Sequence, residues 1–153
     1  MNALPDIVQV LDAFRDENLE TVLVGMAAAA LQGAPVTTDD FDFAFRETPR
    51  NVAKLKRVAG RLNAQLSRPY YPSSRLYRLT SRTGAQVDMM PSISGFGSFE
   101  SLRSHSIEAD VEGRSLRIAS LAAVIKSKKI TNRSKDRAVM PVLEETLREK
   151  EKT

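Results

Sequence analysis

Cysteine is absent from the 153 residues, and histidine occurs once, at His105. The first absence excludes a disulfide framework and any thiolate metal site. The second excludes a histidine-based zinc centre. Any metal would therefore rest on oxygen ligands, which suit magnesium, manganese or calcium. Long apolar runs are missing as well: Ala27–Ala30 is the longest small-residue stretch, and it is a helix fragment, not a membrane span. Met1 to Asn18 lacks a basic start followed by an apolar run, so no signal peptide is expected and a cytoplasmic location is the default. Neither a Rossmann glycine pattern nor a P-loop is present, and no internal repeat or linker divides the chain.

What remains is ordinary for a globular domain. Hydrophobic residues make up 42% and charged ones 27%, so one folded domain over 1–153 is expected, with a core over about 1–118 and C-terminal helices over about 120–150. The net charge of +4 suits an anionic partner such as a nucleotide or RNA, though many small proteins are this basic without one.

Ile7, Val10, Leu11 and Phe14 recur at helical spacing and predict a helix over 5–16. A β-rich run follows over 21–24; Gly25 breaks it, and a helix of small residues runs to Gln32, with Gly33 placed to end it. Phe41, Phe43 and Phe45 alternate on a strand over 41–45, and Thr48-Pro49 opens the next helix. Further strands are expected over 64–67, 75–80 and 85–90, the last two as a hairpin, and a second hairpin turns at Glu112-Gly113. Ser120 caps a helix to about Lys129. A final helix is expected to be kinked or divided at Pro141 and to fray from Arg148. The pattern is α/β: a small mixed sheet flanked by helices, with a C-terminal helical segment.

The chemistry centres on Asp40-Phe41-Asp42. Residues two apart on a strand project to one side about 7 Å apart, so both carboxylates can meet one or two cations. Asp88 sits in the apolar strand Gln86–Met90, on the side opposite Val87 and Met89. If that strand lies beside the first, three carboxylates share a patch that repels itself and needs a cation. Taken singly, an Asp-x-Asp is as well explained by a solvated strand end. Val24-Gly25-Met26 forms a strand-to-helix turn, where glycine permits close approach of a phosphate. Lys128 falls on the apolar stripe of Leu121, Val124 and Ile125, and Arg133 and Lys135 follow in the break. Snorkelling and a solvated basic loop are the plainer accounts of those cations. Tyr70, Tyr71 and Tyr77 with Arg68, Arg75 and Arg78 are the one candidate stacking cluster; core and strand packing is the cheaper explanation of the tyrosines.

Together these residues resemble the DNA-polymerase-β-like nucleotidyltransferase superfamily, and within it the small abortive-infection-toxin (AbiEii-like) type. The resemblance rests on Val24-Gly25-Met26, Thr38, Asp40-Phe41-Asp42, Val87-Asp88 and the basic run Ser127–Asp136. It implies a metal-dependent transfer of a nucleoside monophosphate from a nucleoside triphosphate to an RNA end or a protein side chain, in a toxin–antitoxin setting. Asp40, Asp42 and Asp88 would hold magnesium or manganese and carry catalysis. Gly25, Met26, Thr38, Lys128, Arg133 and Lys135 would bind the nucleotide. Two positions depart from the pattern: Met26 stands where glycine or serine is usual, and Val36 where arginine is frequent. They favour the alternative, a module of the same fold that binds nucleotide or a partner protein without turnover. An acidic-cluster nuclease is a third reading.

Overall fold

A computed structural model describes residues 4–152; residues 1–3 and 153 lie outside it, so the N-terminal stretch is described from Leu4 onward. Helix α1 (Leu4–Asp16) leads into β1 (Thr21–Val24) and α2 (Gly25–Leu31), then β2 (Phe41–Phe45) and α3 (Pro49–Arg61). Three strands follow, β3 (Gln65–Ser67), β4 (Tyr77–Thr80) and β5 (Gln86–Met90), then α4 (Phe99–Arg103), β6 (Ser106–Val111) and β7 (Arg114–Ala119). The chain finishes with α5 (Leu121–Thr131) and α6 (Ser134–Glu151).

The seven strands form one sheet in the order β3-β4-β5-β2-β1-β7-β6. β2 runs parallel to β5 and β1 parallel to β7, while β1–β2, β3–β4, β4–β5 and β6–β7 are antiparallel. The sheet is therefore mixed, as expected. Phe43 and Phe45 are fully buried, and Phe43 meets Phe14 of α1 edge-on at 5.0 Å. Burying each such ring contributes roughly 1.5–3 kcal/mol, which fixes which face of β2 turns inward. α1 and α3 pack together on that face. α2 lies on the other, against α5, β1, β2 and β7.

Local chemistry sets most boundaries. Thr48 caps α3 by accepting the Asn51 amide at 3.1 Å, and Ser120 caps α5 by accepting the Ala123 amide at 3.1 Å. β4 begins at Tyr77, two residues later than the pattern predicts, because the Leu76 amide is drawn to Ser74 Oγ. β5 begins at Gln86, since Ser81 and Ala85 close the turn between them.

The last helix departs from expectation. α6 runs unbroken through Pro141 to Glu151. Proline there removes one hydrogen bond to residue 137, but both positions face solvent, and water can serve the freed carbonyl. Fully buried Leu143 pins the helix two residues further on. Its end is held by Arg148 on Glu145 and by Lys150, whose Nζ donates to Gln32 Oε1 at 2.9 Å. Gln32 is itself a junction: Nε2 donates to the carbonyls of Ala28 and Ala119, and Oε1 accepts the Leu121 amide. It joins the end of α2, the end of β7 and the start of α5. Among the described residues no helix is long and apolar enough to cross a membrane.

Candidate active site

Strand pairing places four residues abreast. Val24 of β1 pairs with Asp42 of β2, Asp42 with Asp88 of β5, and Asp88 with Arg78 of β4. Directly opposed residues project to the same face, so the row reads Val24–Asp42–Asp88–Arg78 across the sheet. Sequence alternation places Asp42 and Asp88 on one side of their strands, and the parallel register of β2 and β5 makes them neighbours.

A cavity of about 500 Å³ opens at the Val24 end of this row. Its lining brings Gly25, Met26 and Thr38 together with Asp40 and Asp42 and with a basic wall of Lys128, Arg133 and Lys135. Eight of the nine residues singled out from the sequence thus line a single cavity; the ninth, Asp88, lies just beyond Asp42. Gly25 has φ +68°, and a Cβ on it would sit 3.5 Å from Asp42 Oδ2. Glycine therefore lets the backbone turn against the carboxylate without strain. Thr38 Oγ1 accepts the Asp40 amide at 3.1 Å, which shapes the chain just before β2.

Asp42 is half-buried, and its carboxyl is pushed up to about 6. Burial is the main cause, followed by the charges of Asp88 and then Asp40; Lys128 and Lys135 across the cavity pull the other way. A carboxylate so placed lacks a compensating cation. Asp88 does not: its two oxygens accept from Arg78 Nε at 2.8 Å and Nη2 at 3.2 Å. The three-carboxylate patch expected from the sequence is thus altered by an arginine from the next strand. Among the described residues no three acidic or histidine side chains are arranged to hold a metal ion. The oxygen donors Asp40 and Asp42 fit a hard divalent cation as a pair. Asp88 has its charge already matched by Arg78.

The basic wall is built on a residue that sequence reasoning gave no role. Asp136 is fully buried. It accepts from Lys128 Nζ at 3.3 Å, from the Arg133 amide at 3.0 Å, from Arg133 Nε at 2.8 Å and from Thr131 Oγ1. Arg133 above all, then Thr131 and Lys128, hold its carboxyl well below the usual range against the opposing effect of burial. Its signal in the sequence is that it is the one acidic residue between Glu112 and Glu144, set in a basic run. Lys128 is therefore neither snorkelling nor free: it is an anchored cation at the cavity wall.

The tyrosines divide. Tyr77 is buried and packs on Phe45, as expected. Tyr70 and Tyr71 are 51% and 63% exposed, so core packing does not account for them. Arg68 and Arg75 pair with Glu47, while Arg78 lies 5.5 Å from the Tyr70 ring centre.

No protein-family model matches the sequence, and no curated protein matches it. Solved structures do. The fold is similar to ANT(2")-Ia in complex with adenylyl-2"-tobramycin, at TM-score 0.68 and 18% identity over 94% of this chain and 88% of that one. It is similar to the lincosamide antibiotic adenylyltransferase LnuA, lincomycin-bound, at TM-score 0.67 and 13% identity over 92% and 95%. A nucleotidyltransferase-like protein from Paracoccidioides brasiliensis gives TM-score 0.60 and 14% identity over 92% and 74%. The chain has the nucleotidyltransferase fold: among the described residues, a mixed seven-stranded sheet flanked by six helices.

Proposed function

We propose that this chain is a metal-dependent nucleotidyltransferase that moves a nucleoside monophosphate from a nucleoside triphosphate to a hydroxyl acceptor. The observation that carries the reading is Asp42, an under-compensated carboxylate on the floor of a cavity whose walls are Gly25 on one side and Lys128 and Lys135 on the other. The backbone at Gly25 and Met26 would lie against the triphosphate, and Lys128, Arg133 and Lys135 would neutralise it. Asp40, Asp42 and, once released, Asp88 would hold magnesium or manganese, which supplies charge neutralisation at the reacting phosphate. The acceptor oxygen attacks the α-phosphorus and the bond to the bridging oxygen of the β-phosphate breaks. Pyrophosphate leaves, and the hydroxyl proton passes to the Asp88 carboxylate.

The resemblance read from the sequence points to an RNA end or a partner protein's side chain as acceptor, within a toxin–antitoxin pair. Magnesium-dependent incorporation of labelled nucleotide into a cell-extract acceptor tests transfer. A thermal-shift screen of the four triphosphates with magnesium tests binding. Both responses should vanish in the Asp40→Ala, Asp42→Ala double variant. A second reading, a module that binds without turnover, draws on Asp88 being held by Arg78 and on Met26 and Val36. Triphosphate binding without incorporation would select it.

A further inference from the structure

The row across the sheet has two ends, and only one has so far been given a task. The triphosphate cavity occupies the Val24 end, against α2 and α5. An acceptor hydroxyl must reach Asp88 from the other side, where Arg78 and Tyr70 stand. A second cavity of about 370 Å³ shares Asp40 with the first but is lined by Phe41, Leu79 and Val87, and by neither Asp88 nor Arg78. Those side chains alternate with Asp42, Arg78 and Asp88 and so belong to the opposite face.

Resting on the nucleotidyltransfer reading, we infer that Arg78 is a charge-selecting latch at the acceptor end, and that the acceptor carries an anionic group and a stacking ring beside its hydroxyl. Both Asp88 oxygens accept from one guanidinium in fork geometry, so the charge that would draw a cation or a proton to Asp88 is already countered while the pair stands. The pair is only partly shielded, with Arg78 21% and Asp88 19% exposed, so an incoming anion can compete for the guanidinium. Arg68 and Arg75 are already matched by Glu47, leaving Arg78 as the cation of this cluster nearest the row. Tyr70, half exposed and beside the guanidinium, offers a face for a ring. An acceptor phosphate that draws Arg78 away frees Asp88 as it arrives. A polycation is repelled by Arg78 and leaves the latch shut. Arg78 is thus a positioning residue acting through Asp88.

The test is manganese binding, followed by electron paramagnetic resonance with a non-hydrolysable ATP analogue present, in the wild type, Arg78→Ala and Arg78→Lys. Freeing Asp88 should tighten manganese in Arg78→Ala by about fivefold or more, with Arg78→Lys between it and the wild type. Phenyl phosphate, which supplies ring and anion together, should tighten manganese in the wild type but not in Arg78→Ala. Spermidine should do neither. Arg78→Gln carries the same comparison if the alanine variant does not fold. Equal manganese affinity in the wild type and the variants overturns the latch, and spermidine acting like phenyl phosphate overturns the charge selection. Failure of every variant, wild type included, to bind manganese with the analogue would instead refute the nucleotidyltransfer reading.

Discussion

Replacing Asp42 by asparagine should stabilise the metal-free protein at neutral pH. The Asp42 carboxyl moves from an ordinary value of 3.8 to about 6 on folding, so between those limits the native state holds a proton that the unfolded chain has lost. Stability therefore falls as pH rises through that window, and the full penalty stands above it. The difference corresponds to at most about 3 kcal/mol, and to less in practice because Asp42 is partly open to water. For a domain of this size each kcal/mol moves the melting temperature by about 2–4 °C, so Asp42→Asn should melt roughly 5 °C higher than the wild type near neutral pH. Below about pH 3 the two should converge, because the Asp42 carboxyl is then protonated in both the folded and the unfolded chain. Magnesium should raise the wild-type melting temperature at neutral pH and leave Asp42→Asn unchanged. Thermal unfolding by circular dichroism in low-salt buffer, at both pH values and with and without magnesium, measures these melting temperatures. A variant that melts below the wild type at neutral pH, or gains as much from magnesium, would refute the claim that Asp42 is an uncompensated carboxylate.

Asp136→Ala should lower the melting temperature by about 10 °C, because losing a fully buried carboxylate strands Lys128 and the Arg133 amide at a cost of about 3–5 kcal/mol. A shift of under about 2 °C would show that the knot is dispensable. Gly25→Ala should cost roughly 1–2 kcal/mol from its positive φ alone, read as a lower urea midpoint, and should weaken triphosphate binding more than Ser120→Ala does. Ser120→Ala removes only a helix cap far from the phosphate wall; about 1 kcal/mol of stability should go with triphosphate affinity intact, as isothermal titration would show.

Features set by neighbours along the chain were legible in advance. The aromatic face of β2, the Thr48-Pro49 start of α3 and the Ser120 cap are each written in a few consecutive residues, and they stand where the pattern places them. The gathering of Gly25, Asp42 and Lys128 at one cavity followed from the family resemblance, since the helix stripe alone left Lys128 to snorkel. What stayed hidden depends on partners distant in sequence. Periodicity gives the face of Asp88 but not that Arg78 stands opposite it across a hairpin. Composition marks Tyr70 and Tyr71 as aromatic, yet the loop joining β3 to β4 leaves them in water. Pro141 shows the limit of a local rule: its penalty is small when the freed carbonyl faces solvent and Leu143 is buried just beyond it.

The amide of Gln32 holds α2, β7 and α5 together at the end of α2 remote from Gly25, with the tip of α6 fastened to the same oxygen. α2 and α5, which carry Gly25 and Lys128 and also pack on each other, are thus riveted at the ends remote from the cavity those two residues line. A swing of one helix against the other would turn about that rivet, like the arms of tongs about their pin. On the proposed function, loosening this one side chain well away from the cavity would then alter how quickly product escapes.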